Sequence, residues 1–447
     1  MTTPIVDFIK KYANDNYARF HMPGHKGHSF LGCEALDITE IDGADVLYMS
    51  DGIIKESEDN ASSLFDTFAT NYSTEGSSLA IRAMISGLSV LTAPRKPFIL
   101  AARNAHKAFI YACATSDANV KWLYPAEFTH LCSCKITADD IKNALSECDT
   151  PPDAIYITSP DYLGNIADIH AISQVCDEHN ILLMVDNAHG AYLHFLEENQ
   201  HPVHLGAHVC CDSAHKTLPV LTGGAYLHFA ENCPADYVAA CRNMLKVYAS
   251  TSPSYLILQS LDLCNQYLAN NYKSCLHNTV ALTNSVKTRL CEMGFKVENT
   301  EPLKIVINIS DIDVEALHEA LRKHKVSPEM CDDSYIVFMI TPENTSANFD
   351  SLLVAFGSLL PLFSREKAHV ENTLAPVKHK AVMSIRQAVF AKHMTLPIED
   401  SIGKICASPT ISCPPAVPVV VSGEVITHED YLIMKKNSIH FIDTVLE

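Results

Sequence analysis

Two positions in this sequence could carry chemistry together. ILLMVD (181–186) is an apolar run that ends in a carboxylate, Asp186. Thirty residues later a second short run, HVCCDSAHK, brings Ser213, His215 and Lys216 to its end. In open α/β sheets the carboxyl ends of the strands are where ligands collect. A lysine and a carboxylate placed there suit pyridoxal 5′-phosphate (PLP). That cofactor needs a lysine for its aldehyde carbon, an acid that keeps its pyridine nitrogen protonated, and donors for its phosphate. Lys216, Asp186 and Ser213 fill those three roles. A lysine after Ser-x-His is by itself most often a solvated surface group; its offset from a strand-end aspartate is what points to the cofactor.

Such strand ends have to be delivered by a doubly wound sheet. KPFILAARNAHKAFIYAC reads as a strand and then a helix, with His106 at the turn between them. Short β runs follow at 120–127 and 154–160, separated by a helix over 137–147 that opens on the capping pattern TADD. After AIYITSPDYLGNIADI a helix runs to about His179; Asp161 and Tyr162 lie in the polar loop at that strand end. This alternation predicts an α/β fold with a mostly parallel sheet. From Phe295 to about Phe363, FKVEN, LKIVINI and YIVFMIT alternate with helical stretches 313–324 and 348–362, a small α/β domain. The first twenty residues read as one amphipathic helix through Ile5, Phe8, Ile9, Tyr12 and Ala13, an arm of the kind that packs on a partner subunit.

The 447 residues give ample material for a buried core. A net charge of −19 argues against nucleic acid or an anionic membrane surface as partner, because both require a basic stripe. The sixteen cysteines are scattered through apolar segments and MTTPIVDFIKKYAND is not a signal peptide, so a cytoplasmic chain with reduced thiols is expected. Cys132-Ser133-Cys134 and Cys210-Cys211 lack the paired spacing of a zinc site, and no metal is expected. No apolar run reaches the length of a membrane span.

Several motifs then line up in one order. HMPGHKGHSF, with three histidines in eight residues, is followed by LDITEIDGADVLY and GIIKESE, then by TNYSTEGSSLAIRAMI, R-x-x-H-K at 103–107, VDNAHGAYLHF, DSAHKTLPVLTGGAYLH, TSPSY at 251–255 and a final TLPIEDSIGKICASPTISCPPAVPVVVSGEVITHEDYL. Together they resemble the ornithine/lysine/arginine decarboxylases of the aspartate aminotransferase fold, in a short form with that family's C-terminal domain. The resemblance implies PLP fold type I, with a mostly parallel sheet of the seven-stranded type flanked by helices, a small α/β domain and a C-terminal α+β domain. It divides the chain into an N-terminal arm and substrate-side loop (1–30), a PLP-binding domain (31–245), a long helix and small domain (246–363), a linker (364–377) and the C-terminal domain (378–447).

By the same resemblance Asp186 meets the pyridine nitrogen, Ala188 packs beneath the ring and His189 lies near its O3′. Lys216 carries the Schiff base, His215 sits beside the reacting carbon and His106 stacks on the ring. Ser73, Thr74, Gly76 and Ser213 hold the phosphate, joined across a subunit interface by Thr251 or Ser252, so that a homodimer or larger homo-oligomer shares its sites. His25 and Glu424 face the substrate, Glu424 toward its distal cation. The sequence departs from the family pattern at Tyr72 and at Cys413, Ala416 and Ser422, and it has Glu75 at a variable position of the phosphate turn. The implied activity is decarboxylation of arginine, lysine or ornithine. Another PLP chemistry on this fold, such as that of an aminotransferase or lyase, and a PLP-binding homologue without activity stay open.

Overall fold

An apolar run with no alternation can be buried on both faces, which is what the centre of a parallel sheet requires. The run that ends at Asp186 is such a strand, buried at every residue. The computed structural model describes residues 1–126, 130–360, 377–409 and 417–446. The chain divides into two compact units, one formed by Met1–Leu123, Ile136–Ser159 and Asp168–Tyr272, the other by Tyr124–Lys135, Pro160–Ala167 and Lys273–Glu447.

The first unit runs α1 (Pro4–Asn14), α2 (Ile53–Phe65), β1 (Ala69–Ser73), α3 (Gly76–Thr92), β2 (Phe98–Ala102), α4 (Lys107–Ser116), β3 (Asn119–Leu123), α5 (Ala138–Ser146) and β4 (Ala154–Thr158). It continues with α6 (Ile169–His179), β5 (Leu182–Asp186), β6 (Val209–Asp212), α7 (Ala214–Thr217), β7 (Ala225–Phe229), α8 (Ala235–Tyr248) and α9 (Tyr255–Asn270). Its strands form a seven-stranded sheet in the order β1-β7-β6-β5-β4-β2-β3. β3, β2, β4, β5 and β6 are parallel, and β7 runs antiparallel to both β6 and β1. The expected α/β sheet is therefore present, with one reversed strand. TADD works as a capping box: Thr137 Oγ1 accepts the Asp140 N–H at 3.2 Å and Asp140 accepts the Thr137 N–H at 2.8 Å.

The N-terminal helix differs from expectation. It stops at Asn14, and Asn16 takes the left-handed conformation at φ 53°. Its apolar face is not held out for a partner either, because Ile5, Val6 and Ile9 are buried against α2 and α9 of the same unit. Asp262 of α9 accepts the N–H groups of both Ile5 and Val6 at 3.0 Å, which satisfies two donors that a helix start leaves open.

α2 puts Glu58 under β1. Its carboxylate is 2% exposed and accepts the Tyr72 N–H at 2.9 Å. Burial pushes the Glu58 carboxyl up to about 7, against the hydrogen bonds from Tyr72, Asn71 and Ser50. The folded chain thus keeps a proton that the unfolded chain loses at the ordinary carboxyl value. The stability this contributes is full below about pH 4.5 and is lost as the pH rises through about 7. Glu58→Gln keeps the acceptor and removes the titration. Its melting temperature relative to the native chain is expected to rise across that window, by the equivalent of up to about 3 kcal/mol. Parallel melting curves at both ends of the window would disprove this reading.

The second unit contains α10 (Tyr272–Glu292) from its second residue on, then β8 (Lys296–Val297), β9 (Lys304–Asn308), α11 (Val314–Lys323), β10 (Met330–Cys331), β11 (Tyr335–Met339) and α12 (Ser346–Gly357). Its strands make an antiparallel sheet in the order β10-β11-β9-β8, the small domain expected from the sequence. α13 (Ile385–Val389), β12 (His393–Pro397), α14 (His428–Lys436) and β13 (Phe441–Val445) follow, with β12 and β13 paired. They enclose a core of Ile398, Cys406, Val419, Val420, Ile426, Ile433 and Met434. The expected linker, apart from Val377, and the departures at Cys413 and Ala416 lie outside the described residues. Among the described residues no helix is long and apolar enough to cross a membrane.

Candidate active site

β5 presents Asp186 at its last position, 2% exposed. Tyr156 of β4 donates its hydroxyl to Oδ2 at 3.1 Å, while the Ala188 N–H at 3.3 Å and the Cys211 thiol at 3.7 Å reach Oδ1. All of these partners are uncharged. Burial pushes the Asp186 carboxyl up, and the charge of Lys216 acts in the opposite direction. A buried carboxylate with only neutral donors is costly unless a cation meets it. A protonated pyridine nitrogen is such a cation, so Asp186 fits the cofactor.

β6 ends at Asp212, and the single turn of α7 after it carries Ala214, His215 and Lys216. Lys216 Nζ lies 2.9 Å from His189 Nε2, and His189, on the loop after β5, is 5% exposed. The strand-end lysine and the residues following the strand-end aspartate thus meet in one place. His215 donates from Nδ1 to the Gly224 carbonyl at 2.9 Å, which fixes its ring against the turn before β7. Burial lowers the His215 pKa, with Lys216 adding to the effect and Gly224 opposing it. His106 is the N-cap of α4 and accepts the Ala108 N–H at Nδ1, 3.1 Å away. Burial, then Lys216 and Lys107, push it down to about 4, so its ring stays neutral at physiological pH.

The residues expected at the phosphate gather at the start of α3. Gly76 adopts φ +70° and donates its N–H to the Gly223 carbonyl at 2.7 Å. Ser73 is fully buried; its hydroxyl donates to the Gly76 carbonyl at 2.9 Å and accepts the Glu75 N–H at 3.1 Å, so it shapes the turn. Thr74, next in the chain, is 9% exposed. Ser213 donates to Ser77 Oγ at 2.8 Å. A helix start presents amides without intrahelical acceptors and suits an anion. Ser77 was not singled out from the sequence, although the serine pair after Gly76 was a usable signal.

The side chains of Tyr72 and Glu75 take their partners outside this turn. Period two along β1 sends Tyr72 to the opposite face from Ser73, where its hydroxyl accepts from Asn265 at 2.7 Å and donates to the Ser57 carbonyl at 2.8 Å. Glu75 accepts the Ser250 N–H at 2.8 Å. That bond tethers the turn between α8 and α9, on which Thr251 and Ser252 are exposed.

His25 is half-buried, 3.2 Å from Asp37 Oδ2, and accepts the Gly27 N–H at 3.0 Å. Glu424 belongs to the second unit and is 1% exposed; it accepts the Val421 N–H at 2.7 Å and lies 3.7 Å from His379 Nδ1. Ser422 is buried beside it. Asp161 and Tyr162 also fall in the second unit, where Asp161 accepts the Asn165 side chain at 2.8 Å and Tyr162 donates to Glu329 at 2.6 Å.

A mostly parallel sheet with one reversed strand, a strand-end aspartate and a lysine on the turn after the neighbouring strand define a PLP-dependent enzyme of fold type I. A structure of serine palmitoyltransferase (SPT) with PLP shares this fold, with a TM-score of 0.58 at 14% identity over 80% of this chain and 84% of that one. The chain belongs to the Orn/Lys/Arg decarboxylase family, whose major domain matches residues 3–313. It is a PLP-dependent decarboxylase. Arginine decarboxylase of Halalkalibacterium halodurans is 28% identical over 98% of this chain and 93% of its own length. The crystal structure of the Francisella novicida lysine decarboxylase superposes with a TM-score of 0.81 at 17% identity, covering 99% of this chain and 81% of that one.

Proposed function

We propose that the protein decarboxylates a basic amino acid, arginine before lysine or ornithine, to the corresponding amine and carbon dioxide. The observation that carries the reaction is the buried Asp186, with uncharged partners only, in the same site as the Lys216–His189 pair. Arginine is favoured by the relatives of that name, which align with nearly the whole chain. Bound through Lys216, PLP supplies a sink for the electron pair left when the carboxylate departs. Asp186 holds the proton on the pyridine nitrogen. Bond breaking is fastest when the leaving carboxylate stands perpendicular to the conjugated plane, so the side chains around the substrate must orient it. Lys216, paired with His189, or His215, fixed by Gly224, returns a proton to Cα. His106 stays uncharged and can lie flat on the ring, and the α3 start with Ser213 and Ser77 binds the phosphate. Glu424 is assigned to the substrate's distal guanidinium or ammonium, for which a carboxylate is the natural partner. Thr251 or Ser252 is assigned to the phosphate of a second copy in a homodimer.

The experiment is to incubate the purified protein and PLP with arginine, lysine and ornithine separately, following amine and carbon dioxide by mass spectrometry. Equal amounts of amine and carbon dioxide are expected, fastest from arginine. A keto acid without carbon dioxide would refute decarboxylation, and a faster reaction with lysine would refute the choice of arginine.

A further inference from the structure

Behind the PLP-facing strand ends, on the opposite face of β6 and β7, four metal-ligand side chains converge in the interior. Cys210 and His228 are register partners across β6 and β7, and period two puts Asp212 on the same face as Cys210. His201 joins them from the loop before β6. All four are fully buried. Asp212 Oδ2 lies 3.0 Å from His201 Nε2 and 3.4 Å from His228 Nε2. Cys210 Sγ lies 3.9 Å from His201 Nε2 and 3.9 Å from Asp212 Oδ1.

The ligand atoms of His201, Cys210 and Asp212 all lie within 4.8 Å of one another, close to three corners of a zinc tetrahedron, while His228 approaches only Asp212. Bond lengths of about 2.0 Å to N or O and about 2.3 Å to S give edges of about 3.3 Å, or about 3.6 Å where sulfur takes part. A hydrogen-bonded core cluster explains the arrangement less well. His228 Nε2 is buried and aimed at the Asp212 carboxylate, yet it forms no hydrogen bond among the described residues. Its other nitrogen is 2.8 Å from Thr70 Oγ1, and Asn187 Nδ2 donates to Asp212 Oδ1 at 2.7 Å. Outer contacts of this kind orient imidazole and carboxylate ligands around a metal.

We propose that His201, Cys210 and Asp212, with His228 behind the carboxylate, bind a divalent cation of the zinc class as a structural site. A dication with one thiolate, one carboxylate and one neutral imidazole has no net charge, which suits a dry interior. Binding forms the sulfur–metal bond and releases the Cys210 thiol proton to solvent. His228, 3.4 Å from Asp212 Oδ2, supports the carboxylate ligand from outside the shell. The ion ties β6 to the loop before it and, through Asn187, to the end of β5. The absence of zinc spacing in the sequence is then no obstacle, because the ligands meet by the pleat of β6 and the loop before it.

The test is zinc content and X-ray absorption on protein purified from zinc-replete cells and dialysed against a chelator. About one zinc per chain is expected, with one sulfur at about 2.3 Å and the other ligands N or O at about 2.0 Å. Cys210→Ser should reduce the zinc content at least tenfold. Cys211→Ser, whose side chain faces the other side of the sheet toward Asp186, should retain it. The absorption spectrum of the native chain needs no folded variant. A native chain without zinc, a shell with no sulfur or with more than one, or a Cys210→Ser protein that retains its zinc would each overturn the site.

Discussion

Lys216→Ala is expected to reduce carbon dioxide release from arginine by about 10³-fold or more and to abolish the visible absorption of lysine-linked PLP. Two functions are lost together. In the proposed mechanism Nζ holds the cofactor's aldehyde carbon and is one of the two groups that move a proton at Cα; positioned acid–base groups alone contribute about 10²–10⁴-fold. The fold should tolerate the change, because α7 is a single turn whose backbone bonds, such as Lys216 N–H to the Ser213 carbonyl at 2.9 Å, do not use the side chain. Stopped assays with labelled carboxylate, alongside far-ultraviolet circular dichroism, provide the check. A folded Lys216→Ala protein with turnover within about tenfold of the native chain would remove Lys216 from the mechanism, whatever its absorption spectrum.

Asp186→Asn tests charge at constant shape. An asparagine oxygen can still accept from Tyr156 and from the Ala188 N–H, which are 3.1 and 3.3 Å from the native carboxylate. What disappears is the negative charge that the proposed mechanism sets opposite the pyridine nitrogen, in an interior where such a charge is poorly screened. Removing one preorganised electrostatic partner typically costs about 10²–10³-fold in kcat. We expect a loss of that size with the lysine-linked PLP band still present and KM changed less than kcat. If kcat were unchanged while the cofactor was bound, the nitrogen would not need its proton and Asp186 would be a packing residue only.

The sequence reveals most where chemistry and periodicity coincide. β5 and β6 are short apolar runs with a reactive residue at or just past the end, and both Asp186 and Lys216 lie where such runs place them. The small domain and the capping box of α5 were legible for the same reason, a local pattern with a local cause. Contacts that depend on pairing were not legible. Cys210 and His228 are eighteen positions apart and meet only because β7 turns back along β6. Tyr72 reads as an intruder in the phosphate turn until the pleat of β1 shows that it faces the other way. Glu424 lies in a segment held by isolated bridges, with no period from which its burial could be read.

The cap that Asp262 places on α1 also sets an order of events during synthesis. Ile5 and Val6 find their acceptor 257 and 256 positions downstream, so until α9 is made α1 has only the α2 part of its seat and keeps two N–H groups open. Contacts of such long sequence separation form late and slowly. Until then the apolar stripe of Ile5, Val6 and Ile9 is covered on the nascent chain by α2 alone.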